Sequence, residues 1–257
     1  MKLSLFFACL FLPMSLIAQV EFWGRVLDST TQSGIPYASV FLPGSTFGVS
    51  TDESGLFSFL IPEGEYEVMV RLVGYTPKLI NLSTFDMNEN GYTIALNRSY
   101  RELDVLEVEV QRDPIWYENL KLFKQYFLGR TKNGKETSIL NQNIIRLDSE
   151  SVPSTLQVKA PDVLQIENPN LGYRIEYLLD EFMYSSEKGT FFFSGYSRFF
   201  PDSTINRSRA KRIESNRKEA YLGSMQHLIR GLYEGTAADE GFEFRSIEKK
   251  KNPERPE

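Results

Sequence analysis

One cysteine and one histidine are all that the 257 residues contain of the two most versatile catalytic and metal-binding side chains. With His227 the only imidazole, a Ser-His-Asp triad or a His-rich metal site has almost nothing to be built from. Cys9 lies in an apolar N-terminal run, so the remainder is expected to have no disulfide, no thiolate nucleophile and no cysteine metal ligand, and packed cores must supply its stability. Cations are outnumbered: 29 Lys and Arg face 34 Asp and Glu, a net charge of −5. No nucleic acid is therefore expected as a partner, because phosphate binding needs a clustered basic face. Long apolar runs are confined to the first residues. Met1 to Ala18 has Lys2, an apolar stretch from Leu3 to Ile17 interrupted by Pro13, and the small Ala18 ahead of Gln19. That is the layout of a signal peptide over 1–18, cleaved near Ala18. The run falls short of the roughly 20 residues that span a bilayer, and no later segment is longer or more apolar. The mature chain is expected to be exported without a transmembrane segment and to be periplasmic, outer-membrane associated or extracellular. Acylation of Cys9, which follows Ala8, is the competing reading, but it leaves too short an apolar run in front.

What the chain has instead is turns. From Val20 to Asn97, short alternating runs are separated by Gly, Pro, Ser and Asn at the spacing of a sandwich. Phe22, Gly24 and Val26 share one face of a first strand, and Ala38, Val40 and Leu42 one face of a second. Phe57, Phe59 and Ile61 alternate in a third; Tyr66, Val68, Val70 and Leu72 alternate in a fourth. Leu79, Ile80, Leu82, Ile94 and Leu96 supply later edges. Asp52 and Ser54 suit a tight turn through side-chain bonds to nearby backbone, and Gly55 suits its positive φ.

The run Thr51-Asp52-Glu53-Ser54-Gly55-Leu56-Phe57-Ser58-Phe59, closed by Pro62-Glu63-Gly64-Glu65-Tyr66 and Gly74-Tyr75, follows Gly24-Arg25-Val26-Leu27-Asp28 and Ile35-Pro36-Tyr37-Ala38-Ser39-Val40. Together they resemble the carboxypeptidase regulatory-like family, a small β-sandwich also found at the front of TonB-dependent outer-membrane receptors of Bacteroidota. The resemblance implies a transthyretin-like (prealbumin-like), Greek-key sandwich over 20–98. The receptors carry a segment similar to Leu103-Asp104-Val105-Leu106-Glu107-Val108-Glu109-Val110, read here as a strand in a 99–113 connection, and then a barrel for which this sequence has too few residues. Ile166-Glu167-Asn168 with Leu171-Gly172-Tyr173, and Asn216-Arg217 with Tyr221 to His227, are similar to a region that follows the sandwich in exported Bacteroidota proteins. No activity comes with that similarity.

Residues 114–247 read as an α+β domain. Asp113-Pro114 is a helix start with a carboxylate N-cap, and Trp116, Leu120, Phe123 and Phe127 fall on one stripe before Gly129. Strands are expected over 144–147, 155–159, 163–167, 173–179 and 190–193, with a turn at Asn168 to Gly172. A single second helix is expected from about Ser208 to Tyr233, its outer face basic through Arg207, Arg209, Lys211, Arg212, Arg217 and Lys218 and diluted by Glu214 and Glu219. Such a face can meet an anionic surface such as phospholipid or lipopolysaccharide, or simply be solvated. Residues 248–257 are charged, hold two prolines and are expected to be a disordered tail.

The chemistry this leaves is thin. Asp28, Asp52 and Glu53 offer oxygen ligands for calcium, but their spacing matches turns rather than a calcium loop. Ser224 lies one helical turn before His227, a spacing that by itself supplies neither an orienting group nor an oxyanion hole. There is no HxxE segment with a later His, so the peptidase of the family name is missing. Carboxylate pairs are the one broadly available catalytic chemistry, and Glu176, Asp180 and Glu181 cluster as candidates for a weak glycosidase or other hydrolase. Tyr37, Tyr66 and Tyr75 are candidates for a sugar-stacking platform, with Tyr37 and Tyr75 the ligand-binding candidates, or for partly buried sandwich residues. The expectation is a non-enzymatic envelope protein, with no catalytic residues, no cofactor and no metal, whose sandwich docks an envelope protein partner. Carbohydrate binding is the alternative.

Overall fold

The computed structural model describes residues 19–99, 112–204 and 206–247. The leader, the Leu103 to Val110 segment and the charged tail lie outside the described residues. Strands β1 (Gln19–Asp28), β2 (Ser39–Phe41), β3 (Gly48–Ser50), β4 (Leu56–Pro62), β5 (Glu65–Arg71), β6 (Lys78–Ser83) and β7 (Tyr92–Leu96) build a sandwich of two sheets. One has the order β4-β1-β7, with β1 and β7 parallel; the other is β3-β2-β5-β6, antiparallel throughout. Alternation along each strand turns Phe22, Val26, Val40, Ile61, Val68, Val70, Ile94 and Leu96 into one dry core. Phe22 is its hub, with ring centroids 5.1 Å from Phe57, 5.6 Å from Phe59 and 5.1 Å from Tyr92.

Beyond the sandwich come α1 (Pro114–Phe127), a single turn α2 (Lys132–Lys135), and strands β8 (Ser138–Ile139), β9 (Arg146–Asp148), β10 (Thr155–Lys159), β11 (Leu164–Asn168), β12 (Tyr173–Ser185) and β13 (Thr190–Pro201). Asp113 caps α1 by accepting from the Trp116 N–H at 2.7 Å. The apolar stripe of the helix lies on the sheet, where Phe123 meets Phe182 edge-on at 4.9 Å and Phe127 meets Tyr177 at 4.9 Å. Long β12 is the spine. β11 pairs with its first half and β10 with its second along one side, while β13 runs the whole length of the other.

Two sequence expectations are corrected here. The strands expected over 173–179 and 190–193 are the two arms of one long hairpin, extending to Ser185 and Pro201. The alternation is lost at a bulge between Leu179 and Glu181, where the register shifts and adjacent acidic residues hide the continuation. The single helix from Ser208 to Tyr233 is two helices, α3 (Arg207–Tyr221) and α4 (Met225–Glu234). Gly223 takes φ +76° and Ser224 caps α4 by accepting from the His227 N–H, so a stop and a start lie back to back. Helix α3 is tied to the β11–β12 turn. Ile213 covers left-handed Gly172, and Arg217 donates to the Leu171 and Gly172 carbonyls while lying 3.9 Å over the Tyr173 ring. Arg217 is thereby committed to the fold rather than to the basic face.

Candidate functional site

The parity that buries Phe22, Val26, Phe57 and Ile61 sends their neighbours outward. Trp23, Leu56 and Leu60 therefore share the open face of the β4-β1-β7 sheet, 42%, 48% and 54% exposed. The antiparallel register places Trp23 opposite Ser58, Leu60 opposite Glu21 and Leu56 opposite Arg25. The tryptophan thus sits between two leucines on the diagonals, within reach of both. Gly91 underlies the indole at φ +75°, and a Cβ there would run into the ring. The rim is polar: Ser58 Oγ donates to Glu21 Oε1, and Arg25 Nε donates to the Ser54 carbonyl at 2.9 Å. The face thus has an apolar centre and a charged rim.

The other sheet of the sandwich is already taken. From β5, Arg71 reaches Asp162 at 2.8 Å and Glu176 at 3.5 Å. The β2–β3 loop adds to the edge of β13, with Gly44 N–H donating to the Ser197 carbonyl at 2.7 Å and Phe199 N–H to that of Ser45 at 2.9 Å. Between them Arg198, opposite Glu176, is buried with its guanidinium 5.6 Å from the Phe41 ring centroid and 4.6 Å from that of Phe200. Its Nε has no hydrogen-bond partner. Desolvation lowers its pKa, and nearby Glu176 works against that shift. This charged seam locks the sandwich to the α+β part through β2, β5 and the β2–β3 loop, and among the described residues nothing covers the Trp23 face.

The sequence candidates fall in separate places. Tyr37 is 65% exposed on a left-handed backbone, φ +59°. Buried Thr51 holds it there, accepting from the Ala38 N–H and donating to the Ile35 carbonyl. Tyr75 instead packs on the sandwich core and donates its hydroxyl to Asp28 Oδ2 at 2.9 Å, so only Tyr37 presents a free ring. Asp28 also accepts from the Thr30 and Thr31 N–H groups and from Arg98 Nε. Those donors, Thr31 and Arg98 foremost, hold its carboxyl well below the usual carboxylate range. Asp52 accepts from the Ser54 and Leu56 N–H groups as turn chemistry requires, and its pKa is lowered by them. Among the described residues, no three His, Cys, Asp or Glu side chains gather around a space for a metal.

Nor do the catalytic candidates assemble. His227 is buried; its Nδ1 accepts from the Gly223 N–H at 3.0 Å and its Nε2 faces Glu240, which also accepts from Thr236. Both ring nitrogens are occupied, and Ser224 Oγ serves the backbone as a cap rather than the imidazole. Glu176 belongs to the charged seam. Asp180 and Glu181 line a shallow 190 Å³ depression at the bulge with Lys159, and Asp180 accepts from Ser194 at 3.2 Å. Nothing in the sequence marks the Trp23 patch by type or motif, although strand parity alone points to it. Arg198 gives no such signal, because Phe41 and Glu176 are distant from it in sequence.

The sandwich thus has seven strands among the described residues and is followed by an α+β unit. Residues 22–108 match the family model of the CarboxypepD_reg-like domain. No curated protein matches the chain. Among solved structures, a DUF3823 family protein from Bacteroides ovatus is similar at 7% identity and TM-score 0.26, over 72% of this chain and 96% of that one. A second, from Parabacteroides merdae, is 14% identical with TM-score 0.22, over 76% of this chain and 85% of that one.

Proposed function

We propose that this is a non-enzymatic, exported cell-envelope protein whose CarboxypepD_reg-like sandwich docks an envelope protein partner. The observation that carries the reading is the Trp23, Leu56 and Leu60 face, which is apolar, ringed by charge and opposite the sheet engaged by the α+β part. Tryptophan at the centre of such a patch is the residue type that most often dominates binding energy. The leucines supply contact area but no hydrogen bonds to sugar hydroxyls, which favours a protein over a glycan. The engaged nitrogens of His227 support the non-enzymatic part. Glycan binding is the second reading, favoured by the free ring of Tyr37 on its left-handed backbone.

In-cell crosslinking of the tagged chain in its native host, followed by mass spectrometry, tests the proposal. Specific envelope protein adducts are expected, and Trp23→Ala with Leu60→Glu should weaken capture about 30-fold, the size of a hot-spot loss. Circular dichroism should show these variants folded, since both positions face solvent. Undiminished capture by the folded variants would remove this face from the account. Glycan retention that disappears with Tyr37→Ala would put the second reading in its place.

A further inference from the structure

The outer edge of β13 is occupied over only half its length. Toward its end the β2–β3 loop adds to it, the Gly44 N–H donating to the Ser197 carbonyl and the Phe199 N–H to that of Ser45. These bonds fix the parity of the strand, since Ser197 and Phe199 must turn their backbone groups away from β12. The bulge of the hairpin lies on β12, and β13 keeps its pairing one residue at a time from Pro201 back to Thr190. Gly195, Phe193 and Phe191 are therefore the next outward-facing residues. Among the described residues no strand or loop is bonded to them.

The open half has none of the devices that keep sheet edges apart. Thr190 to Gly195 holds no charge and no proline. Other edges of the molecule are guarded: Pro62 ends β4, Lys78 opens β6 and donates to the Ala95 carbonyl of β7 at 3.2 Å, and β9 is charged at both ends by Arg146 and Asp148. Phe191 and Phe193 lie on the α1 side of the sheet, with ring centroids 4.9 Å from Tyr126 and 5.4 Å from Phe127. They nonetheless stay 48% and 36% exposed, because no strand flanks them. Phe192, 56% exposed, is on the opposite side by parity.

We infer that this edge pairs antiparallel with the same edge of a second copy of the chain, about a two-fold axis at Phe193. The free edge is complementary to itself. Its outward residues are symmetric about Phe193, so Phe193 exchanges both backbone bonds with its own copy and Phe191 does so with Gly195. Parity is kept, and the α1 side of one sheet continues into that of the other. A Cβ on Gly195 would run into the Tyr177 ring, so that ring already lies over the glycine and Phe191 of the second copy arrives beside it. The two Phe193 rings meet across the axis, aromatic against aromatic with no charges opposed. Beyond Gly195 the β2–β3 loop holds the edge at Ser197, which limits the new pairing to this register. The pairing thus continues a strand-edge contact that the chain already makes with itself, and it does not depend on the Trp23 face.

The test is sedimentation velocity of the full chain over a range of concentrations, with amide exchange followed by NMR. Every variant shares the N-terminal apolar run, so differences between variants report on the β13 edge. The parent should dimerise. Phe193→Lys sets like charges opposite each other on the axis and should raise the dimer dissociation constant about tenfold or more. Phe193→Glu should do the same, and an equimolar mixture of the two should recover the dimer because opposite charges then face each other. In the parent, which needs no substitution to fold, exchange at Phe191 and Phe193 should slow as concentration rises. Exchange at Phe192 and Ser194, which face β12, should not depend on concentration. A chain that stays monomeric would overturn the inference, whether its Phe193 amide exchanges freely or is already protected from within the chain. So would a dimer that both variants form as readily as the parent, or a mixture of folded variants that stays monomeric.

Discussion

Phe22→Ala is expected to remove about 3–5 kcal/mol from the sandwich, the range for truncating a fully buried aromatic. Phe22 is completely buried and meets three rings contributed by β4 and β7, so its loss empties the place where both neighbours of β1 converge. The surroundings have little freedom to collapse into the space. Gly24, two residues on along the same face, already lets the Tyr92 carbonyl and the Phe57 ring come as close as they can. Small domains have total stabilities of roughly 5–15 kcal/mol, so the variant should leave the sandwich near its threshold. Urea titration can read the two parts separately, because the tryptophans are divided between them: Trp23 on β1 and Trp116 on α1. The Trp23 transition should move to much lower urea, and the Trp116 transition should move less. Equal shifts of both would mean that the seam at Arg71 and Arg198 makes one cooperative unit of the whole.

Much of this core was legible because the sandwich strands alternate over most of their length, Phe41 and Met69 being buried out of phase with their neighbours. Phe57 and Ile61, Val68 and Val70, and Ile94 and Leu96 are all inward as their period of two requires. The Asp52 turn and the Asp113 cap were legible for a related reason, since each is a side-chain bond to backbone a few residues away. The hairpin of β12 and β13 was only half legible. Its register depends on a bulge, and Phe191, Phe192 and Phe193 run together because consecutive side chains are all partly exposed near the hairpin tip. In the second helical segment the apolar period continues across Leu222-Gly223-Ser224 and hides the break between the two helices. Glycine with φ +76° followed by a capping serine outweighs that period.

The candidate site divides along the same line. Trp23, Leu56 and Leu60 are the other phase of the alternation that identified the core, so their exposure follows from the sequence once the inward phase is assigned. What the sequence withholds is which of two sheet faces the rest of the chain will cover. That choice rests on the Arg71 pairs and on the Gly44 and Ser45 bonds to β13, which join residues more than ninety positions apart. Tyr75 shows the same limit in reverse, because its partner Asp28 lies 47 residues away.

Asp28→Asn should produce the second large loss of stability, and one that depends on pH. The carboxylate is buried at the end of β1 and accepts four hydrogen bonds, two of them from Thr30 and Thr31, one from Tyr75 and one from Arg98. An amide keeps one acceptor oxygen and turns an NH2 group toward donors on its other side, leaving either the two backbone N–H groups or the Tyr75 and Arg98 pair without an acceptor. Arg98 also loses the charge it faces. Because the folded-state pKa of Asp28 is depressed, the unfolded chain takes up the proton first as pH falls. The stabilisation is therefore complete above the unfolded carboxylate value of about 3.9 and is lost progressively below it. Urea unfolding followed at Trp23 should show a wide gap between parent and variant at pH 7 and a narrower one at pH 3. Asp52, Asp148 and Asp202 also have lowered pKa values, so the parent keeps some acid sensitivity and the informative quantity is the difference between the two chains. Asp52→Asn, in an exposed turn, should give a smaller gap. A gap for Asp28→Asn that is the same at both pH values would show that the carboxylate's charge contributes nothing there, and that only the shape of the side chain matters to the end of β1.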